Sequence, residues 1–442
     1  MEHGRLSQIK ALALPIIGGM VSQNVLNLVD TAMVGRLDNP TPALAAVSIG
    51  GFANFMCMSL LLGISTGVQA TASRRKGEGN IGRMAVSLNA GLILVLLIAP
   101  LFSALLFTLV PRFFHVLNSD PEVMANGIPY LQARILGITF IACNFCFRGY
   151  WNGVNLSKLY MQTLFITHAS NIFLNWVLIF GHLGSPAYGA TGAGMATSLS
   201  TVIAFVVYIY LGRKYAAENG FLKAKPIRSE FATLARLSLP NGIQQLFFSA
   251  GFVTLFWIIG KVGTVETGAA GVLINIMMVG ILPGIGLGLS SATLVGQALG
   301  RKDPADAKRW GWDVVKVGLI ALAIIGLPMV FLTDYVLMPF LRQPEALEVA
   351  RMPLRLVGIA LGLEAIGLIL MNSLLGAGAS KKVMVVSIIA QWFFFLPGAY
   401  IIGPVLGYGL LAIWSWQLLY RLSLSAIFAI IWHRGRWASI VV

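Results

Sequence analysis

The sequence predicts an all-α membrane protein with twelve transmembrane helices, arranged as two six-helix lobes that are related by a parallel internal repeat. Composition is the first reason. Of the 442 residues, 57% are hydrophobic and only 11% are charged, whereas soluble globular domains average about 25% charged residues. The second reason is the length of the apolar runs, and the third is that the two halves of the chain carry matching motifs in the same order.

Apolar runs long enough to cross a bilayer follow one another along the whole chain. A hydrocarbon core of about 30 Å needs about 20 predominantly apolar residues per helix. The runs are bounded by proline, glycine and clusters of charge. The twelve predicted spans are 11–35, 43–73, 86–110, 128–150, 160–181, 188–212, 234–259, 266–298, 314–332, 353–376, 383–403 and 407–432.

The basic residues are distributed unevenly between the two sides of the predicted membrane. The chain carries 31 Lys and Arg and a formal net charge of +15. With the amino terminus in the cytoplasm, 24 of the 31 fall on the cytoplasmic side, Arg421 among them, while Arg134 belongs to the outer group. This is the positive-inside pattern, so the charge reports topology and not nucleic-acid binding. It predicts a multi-pass protein with both termini cytoplasmic, and the first span is too long for the core of a cleaved signal peptide.

The two halves of the chain repeat each other at an offset close to 225 residues. Leu14-Pro15 matches Leu239-Pro240 at the start of the first and seventh spans, and Tyr188-Gly189 matches Tyr408-Gly409. Because each half has an even number of spans, both halves have the same orientation and the repeat is parallel. The predicted organisation is an amino-terminal lobe (1–212), a basic cytoplasmic linker (213–233) and a carboxy-terminal lobe (234–442). Two such lobes with a cavity between them are typical of transporters that rock between two states.

Two helices of the amino-terminal lobe carry polar side chains along one face. Residues spaced i, i+4 and i+7 share a face of a helix. The stripes are Gln23, Asn27 and Asp30 in the first span and His168, Asn171 and Asn175 in the fifth. The repeat-equivalent positions are Phe248, Phe252 and Leu255 in the seventh span and Gln391, Phe394 and Gly398 in the eleventh. Polar residues that serve only the fold should recur in both halves, so these stripes indicate function.

Of the 16 acidic residues, only Asp30 and Glu364 lie well inside apolar runs. An ionised Asp at a helix centre costs roughly 2.5–3.5 kcal/mol on insertion scales, so each is a candidate ion site. Removal from water favours the protonated carboxyl form, and we expect Asp30 to load a proton from the acidic side and release it to the cytoplasm. Na⁺ is the competing coupling ion, but one carboxylate beside Asn171 and Asn175 offers it a weak anionic field. Glu364 is the secondary candidate, and a role in holding helices together fits it equally well.

Other residues have two interpretations each. Pro15 lies about one turn into the first span and lacks an N–H donor, so a bend is expected there. It is either a passive kink or the point where the helix repacks when Asp30 is protonated. His168 could relay protons or be a hydrogen-bonded structural residue. The candidates for lining a substrate cavity are Gln23, Asn27, Asn54, Asn144 and His168.

The segment L-V-D-T-A-M-V-G-R-L at 28–37, together with the doubled twelve-span pattern, resembles the multidrug and toxic compound extrusion (MATE) family in its bacterial DinF-like branch. The resemblance implies an inner-membrane antiporter that expels amphipathic, often cationic compounds in exchange for H⁺ or Na⁺. It maps the family's first-helix carboxylate onto Asp30, its fifth-helix pair onto Asn171 and Asn175, and a sixth-helix Thr onto Thr197. The family has a carboxylate where this chain has Asn175, and that departure weakens a Na⁺ site.

Three other functions remain as alternatives. A lipid-precursor flippase of the same superfamily is the main one, but it should place several cationic residues in mid-span, and almost none are present. A sugar facilitator should have an Asp-Arg signature between spans two and three, and a membrane-embedded enzyme should have convergent catalytic groups. We therefore expect a monomeric transporter of small amphipathic molecules that is not an enzyme, with no metal site and no cofactor besides its coupling ion.

Overall fold

The structure is a computed structural model that describes residues 3–341 and 343–442, and the regular structure in these ranges is entirely helical. The α-helices are α1 (His3–Val34), α2 (Pro40–Gly77), α3 (Val86–Leu117), α4 (Pro121–Leu136), α5 (Ile138–Gly153), α6 (Ser157–Phe180), α7 (Gly189–Tyr215), α8 (Arg228–Gly260), α9 (Thr264–Gly300), α10 (Pro304–Phe331), α11 (Thr333–Leu337), α12 (Pro344–Gly376), α13 (Ser380–Ile389), α14 (Leu396–Tyr400) and α15 (Leu410–Arg434). Short 3₁₀ turns lie at Ile81–Arg83 and Arg436–Ser439, and π-helical segments at Ala390–Phe395 and Ile401–Val405.

The helices of the described ranges reproduce the twelve predicted spans. Eleven are long and apolar enough to cross a membrane, one of them being the run from α13 to Val405, and α4 with α5 forms a twelfth span bent by 47°. The bend lies at Gly137, where the Ser198 hydroxyl of α7 donates to the Ala133 carbonyl at 2.6 Å. A Cβ at Gly137 would lie 2.6 Å from that hydroxyl oxygen. A side chain that bonds the carbonyls of the last turn in this way explains the break.

Helix α1 continues through Pro15 from His3 to Val34 without a break. The proline ring removes one backbone hydrogen bond, to the Ala11 carbonyl, and the turns on either side keep theirs. The predicted bend has therefore produced no interruption of the helix, and a movement at Pro15 during transport stays a hypothesis.

The chain forms two compact units whose limits lie inside helices. One unit comprises residues 18–242, and the other comprises residues 243–442 together with the chain up to Ile17. The limits fall two residues after Pro15 and two residues after Pro240, and they are 225 residues apart, which is the offset of the repeat. The predicted lobes were divided instead at the basic linker, so the first halves of α1 and α8 are grouped differently from the prediction.

Close backbone packing explains why the first half of α8 belongs to the 18–242 unit. A Cβ at Gly63 of α2 would lie 2.2 Å from the Ser238 carbonyl oxygen, and a Cβ at Gly242 would lie 2.2 Å from the Leu60 carbonyl oxygen. Small residues at such contacts let two membrane helices approach until their backbones touch. The pair of glycines therefore joins α2 to residues 228–242.

Replacing Gly63 by valine should separate these two helices. Overpacking of a close contact costs typically 1–3 kcal/mol, which in a protein of this size lowers the melting temperature by about 1–3 °C. Gly268→Val in α9 is the control, because a Cβ at Gly268 would have no neighbour within 4 Å. Equal melting temperatures for the two variants would contradict the contact.

The first turns of α1 and α8 each form ion pairs within their own unit. The residue contributed by α1 is basic, whereas the one contributed by α8 is acidic. Glu230 accepts from Arg75 at 2.5 Å in the 18–242 unit, whereas Arg5 donates to Asp306 and Asp313 at 2.7 Å each in the other unit. Arg5 and Glu230 are also 225 residues apart. If the first turns of α1 and α8 exchanged partners, Arg5 would face Arg75 and Glu230 would face Asp306 and Asp313. This repulsion between like charges favours the observed pairing.

Candidate functional site

The polar stripes of α1 and α6 face each other in the 18–242 unit and form a hydrogen-bonded network. Asn175 Nδ2 donates to Asp30 Oδ1 at 2.6 Å and to Asn171 Oδ1 at 2.9 Å. Asn171 Nδ2 in turn donates to Thr197 Oγ1 of α7 at 3.2 Å. The structure thus brings together all four residues that were predicted to couple the ion, and three helices contribute to the site.

A second set of contacts extends the network along α1. Gln23 Nε2 donates to Asn27 Oδ1 at 3.3 Å, and His168 Nε2 lies 3.2 Å from Gln23 Oε1. Three of the predicted cavity residues are therefore neighbours. The remaining two lie elsewhere in the unit: Asn54 Nδ2 contacts Met58 Sδ, and Asn144 Nδ2 donates to the Thr201 carbonyl.

Burial divides the site into a closed end and an accessible end. Asn171 and Asn175 are fully buried, and His168 is 7% exposed. Asp30 is half-buried, whereas Gln23 and Asn27 on the preceding turns are exposed. The carboxylate therefore lies between buried amides and an exposed face of α1.

Within the described ranges, the side-chain hydrogen-bond partner of Asp30 is the neutral amide of Asn175. Among the described residues no Lys or Arg forms an ion pair with it. Arg134 at the end of α4 acts on it electrostatically from farther away, and its guanidinium is oriented by the Tyr130 hydroxyl at 3.2 Å. Sequence reasoning missed this residue because the charge count placed Arg134 in the outer group. Its position just before the break at Gly137 was the signal that could have identified it.

The other unit has an apolar arrangement at the repeat-equivalent positions. Phe248 and Phe252 pack edge to face with ring centres 5.0 Å apart, and Leu255 is buried. Pro15 belongs to this unit and precedes Asp30 by fifteen positions of the chain, or about four helical turns. Proline and carboxylate are therefore not neighbours.

Glu364, the secondary candidate, also lies in the 243–442 unit. It is 5% exposed and accepts a hydrogen bond from Arg421 Nη1 at 3.0 Å. Arg421, which the charge asymmetry assigned to the cytoplasmic group, lies near the middle of α15. Glu364 thus has a cationic partner, in contrast to Asp30.

Comparison with known proteins agrees with this architecture. The sequence profile of the MatE family matches residues 15–177 and 240–401, once in each half of the chain. The probable multidrug resistance protein NorM of Thermotoga maritima is 24% identical over 440 residues, which cover 96% of this chain and 92% of that protein. The multidrug resistance protein MdtK of Yersinia enterocolitica is 23% identical over 399 residues, covering 89% and 86%.

The fold also matches a solved structure described as the outward-facing conformation of a multidrug resistance MATE family transporter of the MOP superfamily. The TM-score is 0.87 at 22% identity, covering 98% of this chain and 96% of that chain. The resemblance to the MATE family is thereby confirmed, while the DinF-like branch stays a prediction. The chain belongs to the MatE family, and it is a multi-pass membrane transporter and not an enzyme.

Proposed function

We propose that this protein is a secondary active multidrug efflux antiporter of the bacterial inner membrane, with both termini cytoplasmic. It exports amphipathic, mostly cationic compounds in exchange for protons by alternating access, and Asp30 is the coupling carboxylate. The relatives named as multidrug resistance proteins support the substrate class. The observation that carries the coupling is the contact of Asp30 with the Asn175 amide, a neutral partner, at 2.6 Å.

Asn175 gives the site two hydrogen-bonded arrangements. An ionised carboxylate only accepts hydrogen bonds, whereas a protonated one also donates. In the observed arrangement the Asn175 nitrogen faces Asp30, and its buried Oδ1 has no protein partner among the described residues. A proton on Asp30 lets the carboxyl donate to Asn175 Oδ1 once the amide turns over. Proton loading therefore exchanges one arrangement for the other and changes how α1 is held by α6.

The same geometry favours H⁺ over Na⁺. Hard cations are bound by several oxygen ligands. The atom that Asn175 presents to Asp30 is a nitrogen donor, and its bond to Asn171 Oδ1 engages that acceptor as well. A proton needs only the carboxylate and an exposed approach, which Gln23 and Asn27 provide.

Aromatic side chains in the 243–442 unit suit an amphipathic cation. Phe247 and Phe248 are each 38% exposed, and Phe247 packs edge to face on Trp392 with ring centres 5.6 Å apart. Rings of this kind provide apolar area and attract cations through their faces. We propose that these aromatic side chains contact the substrate. We also propose that the protein works as a monomer.

Proton exchange supplies enough energy for export. One proton exchanged for one monovalent cation moves no net charge, so the membrane potential cancels and the pH difference drives the export. One pH unit supplies about 1.4 kcal/mol and supports a gradient of a cationic substrate of about tenfold. For a neutral substrate the potential adds about 2.3 kcal/mol per 100 mV.

The proposal is tested in proteoliposomes that contain a fluorescent amphipathic cation. An imposed pH gradient should drive dye movement without Na⁺, and dissipating the gradient with nigericin should stop it. Liposomes without protein are the control. If neither a proton nor a sodium gradient moved any amphipathic cation, antiport of drugs would be excluded, and lipid-linked precursors would be the substrates to test for a flippase.

A further inference from the structure

Each compact unit contains a carboxylate within an apolar helix, half-buried in the case of Asp30 and buried in the case of Glu364, and the two differ in their partners. Asp30 faces amides, whereas Glu364 of α12 faces the guanidinium of Arg421 on α15 at 3.0 Å. The side chains of Glu364 and Arg421 are 6% and 15% exposed. Neither residue forms an ion pair with any other described residue.

The pair has no counterpart in the other half of the chain. At the offset set by Gly153 and Gly376, Glu364 aligns with Ile141. At the offset set by Tyr188 and Tyr408, Arg421 aligns with Thr201. The fold of a six-helix lobe therefore does not require the pair, and acid and base are present together or absent together.

The pair borders a small pocket inside the unit that is lined mainly by apolar side chains. Trp414, Gln417 and Arg421 are spaced i, i+3 and i+7, so they share one face of α15. With Glu364 and Met277 they line a cavity of about 10 Å³, which is room for about one water molecule. The buried Trp414 Nε1 and Arg421 Nε have no protein partner among the described residues, so the pocket offers more polar contacts than the ion pair uses.

We infer that Arg421 occupies the place of a mobile cation at Glu364, so that this carboxylate binds neither Na⁺ nor any other ion during transport. A buried carboxylate without a partner would have to take up a proton or a cation. Arginine stays protonated at any physiological pH, and it cannot leave because it is covalently attached to α15. The pair therefore keeps the same charge through the cycle, and Arg421 is a specificity-determining residue that confines ion exchange to Asp30. The inference rests on the proposed antiport only in naming Asp30 as the site of the mobile ion.

The test uses purified protein in the Asp30→Asn background, so that any response to cations arises elsewhere. Melting temperatures are compared in NaCl and in choline chloride at the same ionic strength. With Arg421 intact, we expect no difference. The double variant Asp30→Asn/Arg421→Ala should melt at least about 2 °C higher in NaCl than in choline chloride. The reason is that Na⁺ bound only to the folded state stabilises that state by mass action. Adding Glu364→Gln to this double variant should remove the difference between the two salts. Asp30→Asn/Arg421→Lys, which keeps a positive charge attached to α15, should not show the difference.

Chemical rescue provides a matched second measurement. Guanidinium ion at about 10 mM should stabilise the Arg421→Ala protein and leave Glu364→Gln/Arg421→Ala unchanged, because only the first retains an empty anionic site. If neither Na⁺ nor guanidinium acted on Arg421→Ala through Glu364, Arg421 would not be standing in for a cation.

If Arg421→Ala failed to fold, binding of radioactive sodium to the Asp30→Asn protein would decide. The inference predicts the same binding with and without Glu364→Gln. Binding that Glu364→Gln removed would overturn it, since a mobile ion would then reach Glu364 despite Arg421. A failure of dye antiport would contradict the proposed function and would leave these binding results unaffected.

Discussion

Replacing Asp30 by asparagine is expected to abolish proton-driven efflux while the protein still folds. The amide has the shape of the carboxyl group, and its oxygen can still accept the hydrogen bond from Asn175. The amide of the variant, unlike the carboxylate, cannot take up a proton at physiological pH. Without coupling, the gradient of a monovalent cationic dye should fall from about tenfold, which one pH unit supports in a one-for-one exchange, to about one.

The measurement is the steady-state dye gradient in proteoliposomes at a fixed pH difference, together with the melting temperature of the purified variant. Asp38→Asn is the control, because it removes the same charge from an exposed loop residue outside the network. We expect the two variants to melt within about 1 °C of each other, because the amide introduced at position 30 keeps the hydrogen bond from Asn175 and the surface change Asp38→Asn should cost little. Proton-driven efflux by Asp30→Asn would rule out Asp30 as the coupling residue.

The second large effect is expected from Asn175→Asp, which should make the transporter respond to Na⁺. The new carboxylate would lie within hydrogen-bond distance of Asp30, and two carboxylates that close cannot both ionise without a cation between them. Asn171 Oδ1 and Thr197 Oγ1 lie in the same network, so the site would offer the set of oxygen atoms that a hard cation prefers.

We expect a sodium gradient alone to drive dye efflux in Asn175→Asp about tenfold faster than in the native chain, which corresponds to about 1.4 kcal/mol. Asn126→Asp makes the same chemical change at a half-buried position of α4 outside the network, where the side chain donates to the Glu122 carbonyl, and should leave the native ion dependence intact. Equal sodium dependence in the native chain and Asn175→Asp would show that the network does not select the ion.

Local periodicity was sufficient to find most of the site. The i, i+4, i+7 spacing on α1 and α6 identified Asp30, Asn171 and Asn175, because residues at that spacing share a face whatever the helix packs against. The repeat added a control, since Phe248, Phe252 and Leu255 stand at the equivalent positions and the structure packs them as an apolar cluster. Thr197 came from the family resemblance, and the structure places it 3.2 Å from Asn171.

Contacts between distant helices could not be derived in this way. Asn54 and Asn144 are predicted to line the cavity, and their hydrogen bonds to Met58 and to the Thr201 carbonyl leave that a prediction. Arg134 and Arg421 were assigned from charge counts along the chain. Only the packing of helices shows that the first acts on Asp30 and that the second pairs with Glu364.

By itself, the sequence determined the membrane class, the twelve spans, the parallel repeat and the polar stripe of α1, because composition, run length and helical period are properties of neighbouring residues. Tertiary structure decided that the two units divide at Ile17 and Gly242 and that, of the two candidate ion-site carboxylates, Glu364 but not Asp30 is paired with an arginine. The physical reason is that the partner of a buried charge is set by which helices pack together, and Glu364 and Arg421 are 57 residues apart in the chain.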